Sequence, residues 1–354
     1  MSRNRQHGGQ PPAWTVGAPG TIRKRLESKE GKQNRMIEFF KEPNIDWMGK
    51  AKYFYALSAI LLLVGWVSIF SKGGLYYSID FKGGTNVDVQ FSQPPDVDQI
   101  RKALSTQGLG NSEIQSINDI GARSNEVLIF VGQNGTSDEA ADDSKNQVIK
   151  ALSSAGVGTF TIRGAEIVGA KVGGELRQQA IWVTLLALGG MLLYIAFRFE
   201  WVFGAAAVLA VFHDVLITLG FFSLLHFEIS LTVIAALLTL VGYSMNDTIV
   251  IFDRIRENRR LLRKEDFAVL VNKSINQTLS RTILTSGLTF LTVLVLFLMG
   301  GQVLRAFSFA LVVGIVVGTY SSFGIAAPLV VFWHHFRDKP EAAGSGSQPA
   351  RKPA

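Results

Sequence analysis

Val241-Gly242-Tyr243-Ser244-Met245-Asn246-Asp247-Thr248-Ile249-Val250-Ile251-Phe252-Asp253-Arg254 closes an apolar run that begins near Ile229. The run is long enough for the roughly 20 residues that a membrane-spanning helix needs. Near its end an amide and a carboxylate, Asn246 and Asp247, stand side by side. Asp247 lies about 9 Å of helix rise inside Asp253. An ionisable group at that depth costs about 2.5–3.5 kcal/mol on insertion scales, so it is expected to face protein and to serve a task. We read Asp247 as a group that handles protons. A structural ion pair is the other reading that the residues leave open.

Working outward, five more apolar runs lie at 53–70, 180–197, 202–225, 282–299 and 303–333. With 229–252 they make six spans, so the expected class is a polytopic α-helical membrane protein. Composition agrees: 48% of residues are hydrophobic, 24 are Phe, and only 18% are charged. The chain has no Cys, which excludes disulfides, thiolate catalysis and Cys-bound metals. No cofactor and no metal is expected, and no enzymatic activity. The first apolar run begins only near Tyr53, so no cleavable signal peptide is expected.

The net charge of +7 resides in particular segments, which argues against a nucleic-acid partner. Between Asp253 and Arg281 lie Arg254, Arg256, Arg259, Arg260, Arg263, Lys264 and Lys273, with Arg281 closing the segment. The region before Tyr53 is also basic, and Arg337 and Lys339 follow the last run. The short connections His226–Glu228 and Gly300–Gln302 contain no Lys or Arg. This bias predicts that both termini and the basic loop 253–281 are cytoplasmic. Residues 1–35 read as a disordered basic tail, 36–52 as an interfacial lead-in, and 334–354 as a second cytoplasmic tail.

The polar stretch 71–178 then lies outside the cytoplasm. Thr85-Asn86-Val87-Asp88-Val89-Gln90-Phe91 alternates as a half-buried strand does. Asp96 is placed to cap a helix reaching Gln107. Strands at 113–118 and 126–131, a helix at 137–154 and a strand at 159–168 complete a ferredoxin-like α+β pattern. Leu75-Tyr76-Tyr77-Ser78-Ile79 is expected to add an edge strand.

The ionisable groups inside the spans are few. Asp214, beside His213, lies mid-way along the third span, and Arg281 opens the fifth. Antiparallel neighbours bring Asp247 and Arg281 to similar depth, where opposed effects of burial and charge would tune the carboxylate. Arg281 snorkelling to lipid phosphate is the alternative. Asp214 looks less well supplied with partners, and side chains about 100° apart on a helix cannot both face one partner. Gly314-x-x-x-Gly318, with Ser321, Ser322 and Gly324, offers a smooth face for packing or sliding. Gly242 and Ser244 could do the same beside Asn246 and Asp247.

Four motifs resemble the SecD/SecF family of the RND superfamily, on its SecF side. They are Asp80-Phe81-x-Gly83-Gly84, then Val168-Gly169-x-x-Val172-Gly173-x-Glu175-Leu176, then Gly242 to Arg254, then Asn276-Gln277-Thr278-x-Ser280-Arg281-Thr282. The likeness runs from about Asn44 to Trp333; Ala170 stands where the family usually has proline. The resemblance implies a half-unit that pairs with SecD in a twelve-helix body. The pair would use the proton motive force to aid late steps of protein export, with Asp247 and Arg281 matching the family's membrane carboxylate and arginine. Implied partners are SecD, the SecYEG translocon, SecA, YajC, the unfolded preprotein and membrane lipids. Rivals are a stand-alone RND-type exporter of lipids or small molecules, an intramembrane aspartyl protease using Asp214 and Asp247, and a scaffold.

Overall fold

The computed structural model describes residues 43–117, 125–132 and 138–337. The expected tail 1–35, the first part of the lead-in, and 338–354 lie outside the described residues. Six helical stretches are long and apolar enough to cross a membrane. They are α1 (Trp47–Ser71), α5 (Ala170–Arg198), α6 (Trp201–Leu225), α7 (Leu231–Leu261), α8 (Phe267–Met299), and α9 (Gly301–Ser321) continued through a π-helical segment, Ser322–Ala326, into α10 (Ala327–Arg337).

Between α1 and α5 lie a one-turn helix α2 (Ile79–Lys82), β1 (Gly84–Phe91), α3 (Val97–Ser105), β2 (Glu113–Ile117), β3 (Glu126–Val131), α4 (Asp138–Ser154) and β4 (Phe160–Val168). The four strands form one antiparallel sheet in the order β2-β3-β1-β4. Val87, Val89 and Phe91 of β1 and Val127, Ile129 and Val131 of β3 meet Ile100, Leu104, Val148 and Leu152 of the two helices. Each such fully buried aliphatic side chain contributes about 1.5–3 kcal/mol, which is how a Cys-free domain holds together. The opposite face presents Asn86, Asp88 and Gln90. There Glu126 is buried against Arg163 at 3.0 Å, and burial together with Glu126 pushes the Asp88 carboxyl up to about 6.

The expected edge strand does not join this sheet. Tyr77 makes a single parallel bridge to Ile229, in the connection between α6 and α7. The chain then turns helical at Ile79, because Ser78 caps α2 by accepting from Asp80 N. Gly83 and Gly84, at φ 70° and 138°, let α2 turn directly into β1.

The helices also outrun the apolar segments. α7 continues to Leu261 and α8 begins at Phe267, so most of the expected loop 253–281 is helix and only 262–266 connects. Apolarity need extend only across hydrocarbon, whereas hydrogen bonding carries a helix on through Arg, Glu and Asn. Part of the lead-in is likewise helical: Asp46 accepts from Gly49 N at 2.9 Å and starts α1 at Trp47. Asn272 and Asn276 of α8 hold this entry through bonds to the backbone of Ile45, Trp47 and Met48 and to the Trp47 indole.

α6, α7 and α9 form the centre of the bundle. Half of the most apolar window of α6 is buried, against 6% for α5. Close approach comes from missing side chains. A Cβ on Gly314 would lie 2.5 Å from Leu240, and one on Gly318 would lie 2.9 Å from Ser244. Gly65 of α1 and Gly220 of α6 meet in the same way. Gly314-x-x-x-Gly318 therefore packs against α7. Gly242 does not share this part: it is exposed, with nothing near a Cβ placed there.

Candidate functional site

Two apolar clusters fill the bundle. One, around Phe203, Phe252 and Ala326, lies away from the sheet domain; the other, around Phe222, Leu240 and Phe309, lies near it. Between them runs a layer of polar side chains contributed by α6, α7, α8 and α9, and it contains both expected carboxylates.

Asp214 is fully buried. Its Oδ2 accepts from Ser244 Oγ of α7 at 2.5 Å and from Ser321 Oγ of α9 at 2.8 Å. Its Oδ1 lies 2.8 Å from His213 Nδ1. Asp214, expected to be the less well supplied carboxylate, thus has the more partners. His213 meets it as an orienting neighbour, the side chains bending toward each other although their Cα–Cβ bonds diverge. The network continues outward. Tyr320 OH lies 3.4 Å from His213 Nε2 and 3.1 Å from Ser58 Oγ, linking Asp214 to α1.

Asp247 is 2% exposed and is differently served. Among the described residues its one hydrogen-bond donor is Ser286 of α8, whose Oγ lies 2.7 Å from Oδ2. Arg281 lies one and a half turns, or about 7.5 Å of rise, nearer the start of α8. Its charge acts on Asp247, but no direct ion pair joins the two, and the Arg281 side chain is exposed. The two stand at similar depth with that gap between them, and the side chain that reaches the carboxylate is Ser286 rather than the guanidinium.

Ser244 and Asp247 are one turn apart on α7, so the two carboxylates are separated by a single helical turn. They share no hydrogen bond among the described residues. Thr248 adds a third crossing by meeting Ser322 Oγ at 2.9 Å, just where the π-helical segment begins. Such segments often mark functional positions within helices. Asn246 is exposed on α7, on the same side as Gly242, Thr239 and Ala235. An exposed amide within a span requires a protein or aqueous surface beside it, since hydrocarbon cannot satisfy it. Ser286, Ser321, Ser322, Tyr320 and Ser58 were not singled out as polar partners. Their signal, hydroxyls within three of the apolar runs, cannot be read until the helices are placed.

Asp80 and Phe81 sit in α2, and Gly83 and Gly84 form the turn after it. Asp80 Oδ2 accepts from Leu231 N at 2.9 Å, at the start of α7.

Comparison with known proteins places these features. The family model "Protein export membrane protein SecD/SecF, C-terminal" matches residues 147–336, and "SecD/SecF GG Motif" matches 67–95. The protein translocase subunit SecF of Koribacter versatilis is 44% identical, over 85% of this chain and 94% of its own length. The protein translocase subunit SecDF of Thermus thermophilus is 43% identical over 85% of this chain, which spans only 40% of that longer protein. A crystal structure of SecDF from Thermus thermophilus, described as a translocon-associated membrane protein, superposes with a TM-score of 0.75 at 41% identity, covering 89% of this chain and 42% of that one. This chain belongs to the SecD/SecF family of protein-export membrane proteins.

Proposed function

We propose that this chain works in a cytoplasmic membrane, with both termini on the cytoplasmic side, as one half of a proton-driven accessory to protein export. The other half is a SecD-type chain. The pair acts with the SecYEG translocon and SecA, with YajC as a further subunit, to promote late steps of preprotein translocation. The sheet domain stands on the outer side and the basic ends of α7 and α8 on the inner side, in keeping with the positive-inside rule. In this reading the spans and the sheet domain form the working unit, and the terminal tails lie in the cytoplasm. The role is one of transport rather than catalysis: Asp214 and Asp247 are held by separate donors, whereas a dyad would share a proton.

The observation that carries this reading is the setting of Asp247. It is buried in an apolar helix with a single donor, beside the exposed Asn246 and near the charge of Arg281. A partner helix on the face of Asn246 and Gly242 would complete the site. The Thermus relative, in which such a half forms part of a chain more than twice as long, supports a paired arrangement. Asp247, with Arg281 nearby, carries the proton-linked step, and Asp214, held by Ser244 one turn from Asp247 on α7, secures the frame around it.

The energetics suit such a division. One proton crossing about 100 mV gains about 2.3 kcal/mol. Driving a two-state switch from 1:99 to 99:1 takes about 5.5 kcal/mol. A relay shared between two chains meets that need better than one isolated carboxylate. The test is export of a secretory precursor into inverted membrane vesicles, with and without a proton gradient. Asp247→Asn should abolish the gradient-dependent part while the pair still co-purifies. Gradient-dependent export at the wild-type level would refute the reading. Loss of co-purification alone would favour a scaffold.

A further inference from the structure

The family's GG motif meets the bundle at the starts of α7 and α5, and the first of these contacts falls on the helix that carries Asp247. Asp80 Oδ2 accepts from Leu231 N, the first amide of α7, at 2.9 Å. Ser230 Oγ, at 3.3 Å, serves Val233 N of the same helix end. A carboxylate at a helix N-terminus satisfies an amide with no partner inside the helix and complements the helix dipole. Backbone bonds reinforce the contact: Ile229 N donates to Tyr76 O at 2.7 Å, and Ser78 N donates to Ile229 O at 3.0 Å. Two more contacts tie the same turn to its surroundings. A Cβ on Gly173 of α5 would lie 3.0 Å from Gly83 N, and a Cβ on Gly84 would lie 2.7 Å from Val131 O in the sheet. The residues Asp80–Gly84 thus hold the ends of α7 and α5 against the root of β1, with no room for slack.

We propose that Asp80 is the positioning residue that couples α7 to the outer domain, so that displacement of α7 set by the charge at Asp247 is delivered to the sheet through a rigid joint of Tyr76–Gly84 and Ile229–Leu231. Asp247 lies sixteen residues, or about 24 Å, along α7 from that joint. A helix is stiff over this distance, so a tilt or shift at Asp247 appears at Leu231. The inference rests on the proton-driven reading above. It adds the route by which that reading produces movement outside the membrane, and it assigns the aspartate of the motif to transmission rather than to proton transfer.

The test uses the full chain with its SecD-type partner, reading proton movement and gradient-driven export separately. Asp80→Ala should leave proton movement within about twofold of wild type while gradient-driven export falls about tenfold, as expected for losing a charge-assisted hydrogen bond. Asp80→Asn keeps an acceptor oxygen and should export at a level between the two. Export by Asp80→Ala at the wild-type level, or proton movement falling in step with export, would overturn the proposal. A second measurement does not depend on how Asp80→Ala assembles. The chain has no Cys, so Tyr77→Cys with Ile229→Cys places one oxidisable pair across the bridge. Oxidation should leave gradient-driven export unchanged, because a joint that moves as one body loses nothing when locked. Export blocked by oxidation and restored by reduction would show that the two segments must separate, and would overturn it. Asp247→Asn in parallel keeps the two readings apart: if it exports normally, the proton-driven reading fails whatever Asp80 does.

Discussion

Asp214 and Asp247 are carboxylates one helical turn apart in depth, both buried and both inside apolar helices, yet their surroundings differ in kind. Asp214 is completed by this chain: two serine hydroxyls and a histidine ring meet it from α6, α7 and α9. Asp247 is served by one serine, with a guanidinium at a distance and an exposed amide as its sequence neighbour. A buried carboxylate whose lone pairs are filled is well placed to hold three helices in register. One with few donors is held loosely, and its environment can be altered by whatever packs beside it. The difference assigns Asp214 chiefly to the frame and Asp247 to the event.

The comparison can be broken by mutation. Asp214→Ala removes the acceptor for Ser244, Ser321 and His213, and should lower the stability of the detergent-solubilised protein by about 3 kcal/mol. Thermal unfolding measures this, and a loss near zero would mean that the network holds nothing together. Ser286→Ala should cost only about 1–1.5 kcal/mol by the same assay, since one hydrogen bond is lost. If it exceeded Asp214→Ala, the contrast drawn here would be inverted. Thr248→Ala, which releases Ser322 at the start of the π-helical segment, should cost about 1 kcal/mol.

A third carboxylate sharpens the comparison from outside the bundle. Glu228, between α6 and α7, is pushed up to about 7 by burial and then by the charge of Glu113, with Lys82 opposing and Asp80 and Glu166 adding to it. It shows what burial does when donors are few. Because its folded value lies above the ordinary 4.5, the folded protein binds more protons than the unfolded chain between pH 4.5 and about 7. Glu228 therefore makes stability fall as pH rises through that window. Glu228→Gln should flatten this part of the profile of melting temperature against pH, the smallest of the expected effects; an unchanged slope would show that Glu228 is not its source.

Much of this architecture is legible in the sequence alone. The alternation from Thr85 to Phe91 is β1, and the six apolar runs are the six spans. Asp80, Gly83 and Gly84 stand out as a motif of the resemblance, but the turn they make before β1 is seen only in the structure. What could not be read was contact between distant segments. Ser321 reaches Asp214 from 107 residues away, and a serine in an apolar run does not reveal which carboxylate it will meet. Tyr76–Ser78 has the composition of a strand, but composition does not name a partner, and the partner is Ile229 rather than the sheet. Asn276 belongs to the fourth motif, but neither it nor Asn272 announces a partner; only the continuation of α8 past the apolar run puts them against Trp47. Antiparallel packing brings Arg281 to a depth similar to that of Asp247, but nothing in the sequence tells that Ser286 is the side chain that reaches the carboxylate.

The central claim is that Asp247 carries the proton-linked step and Asp214 the frame. It is tested most directly by proton movement through membranes containing this chain and its SecD-type partner, comparing Asp247→Asn with Asp214→Asn. The account predicts that Asp247→Asn stops proton movement with little loss of thermal stability, whereas Asp214→Asn keeps proton movement and melts earlier. Proton movement that persists in Asp247→Asn and vanishes in a stable Asp214→Asn would contradict it.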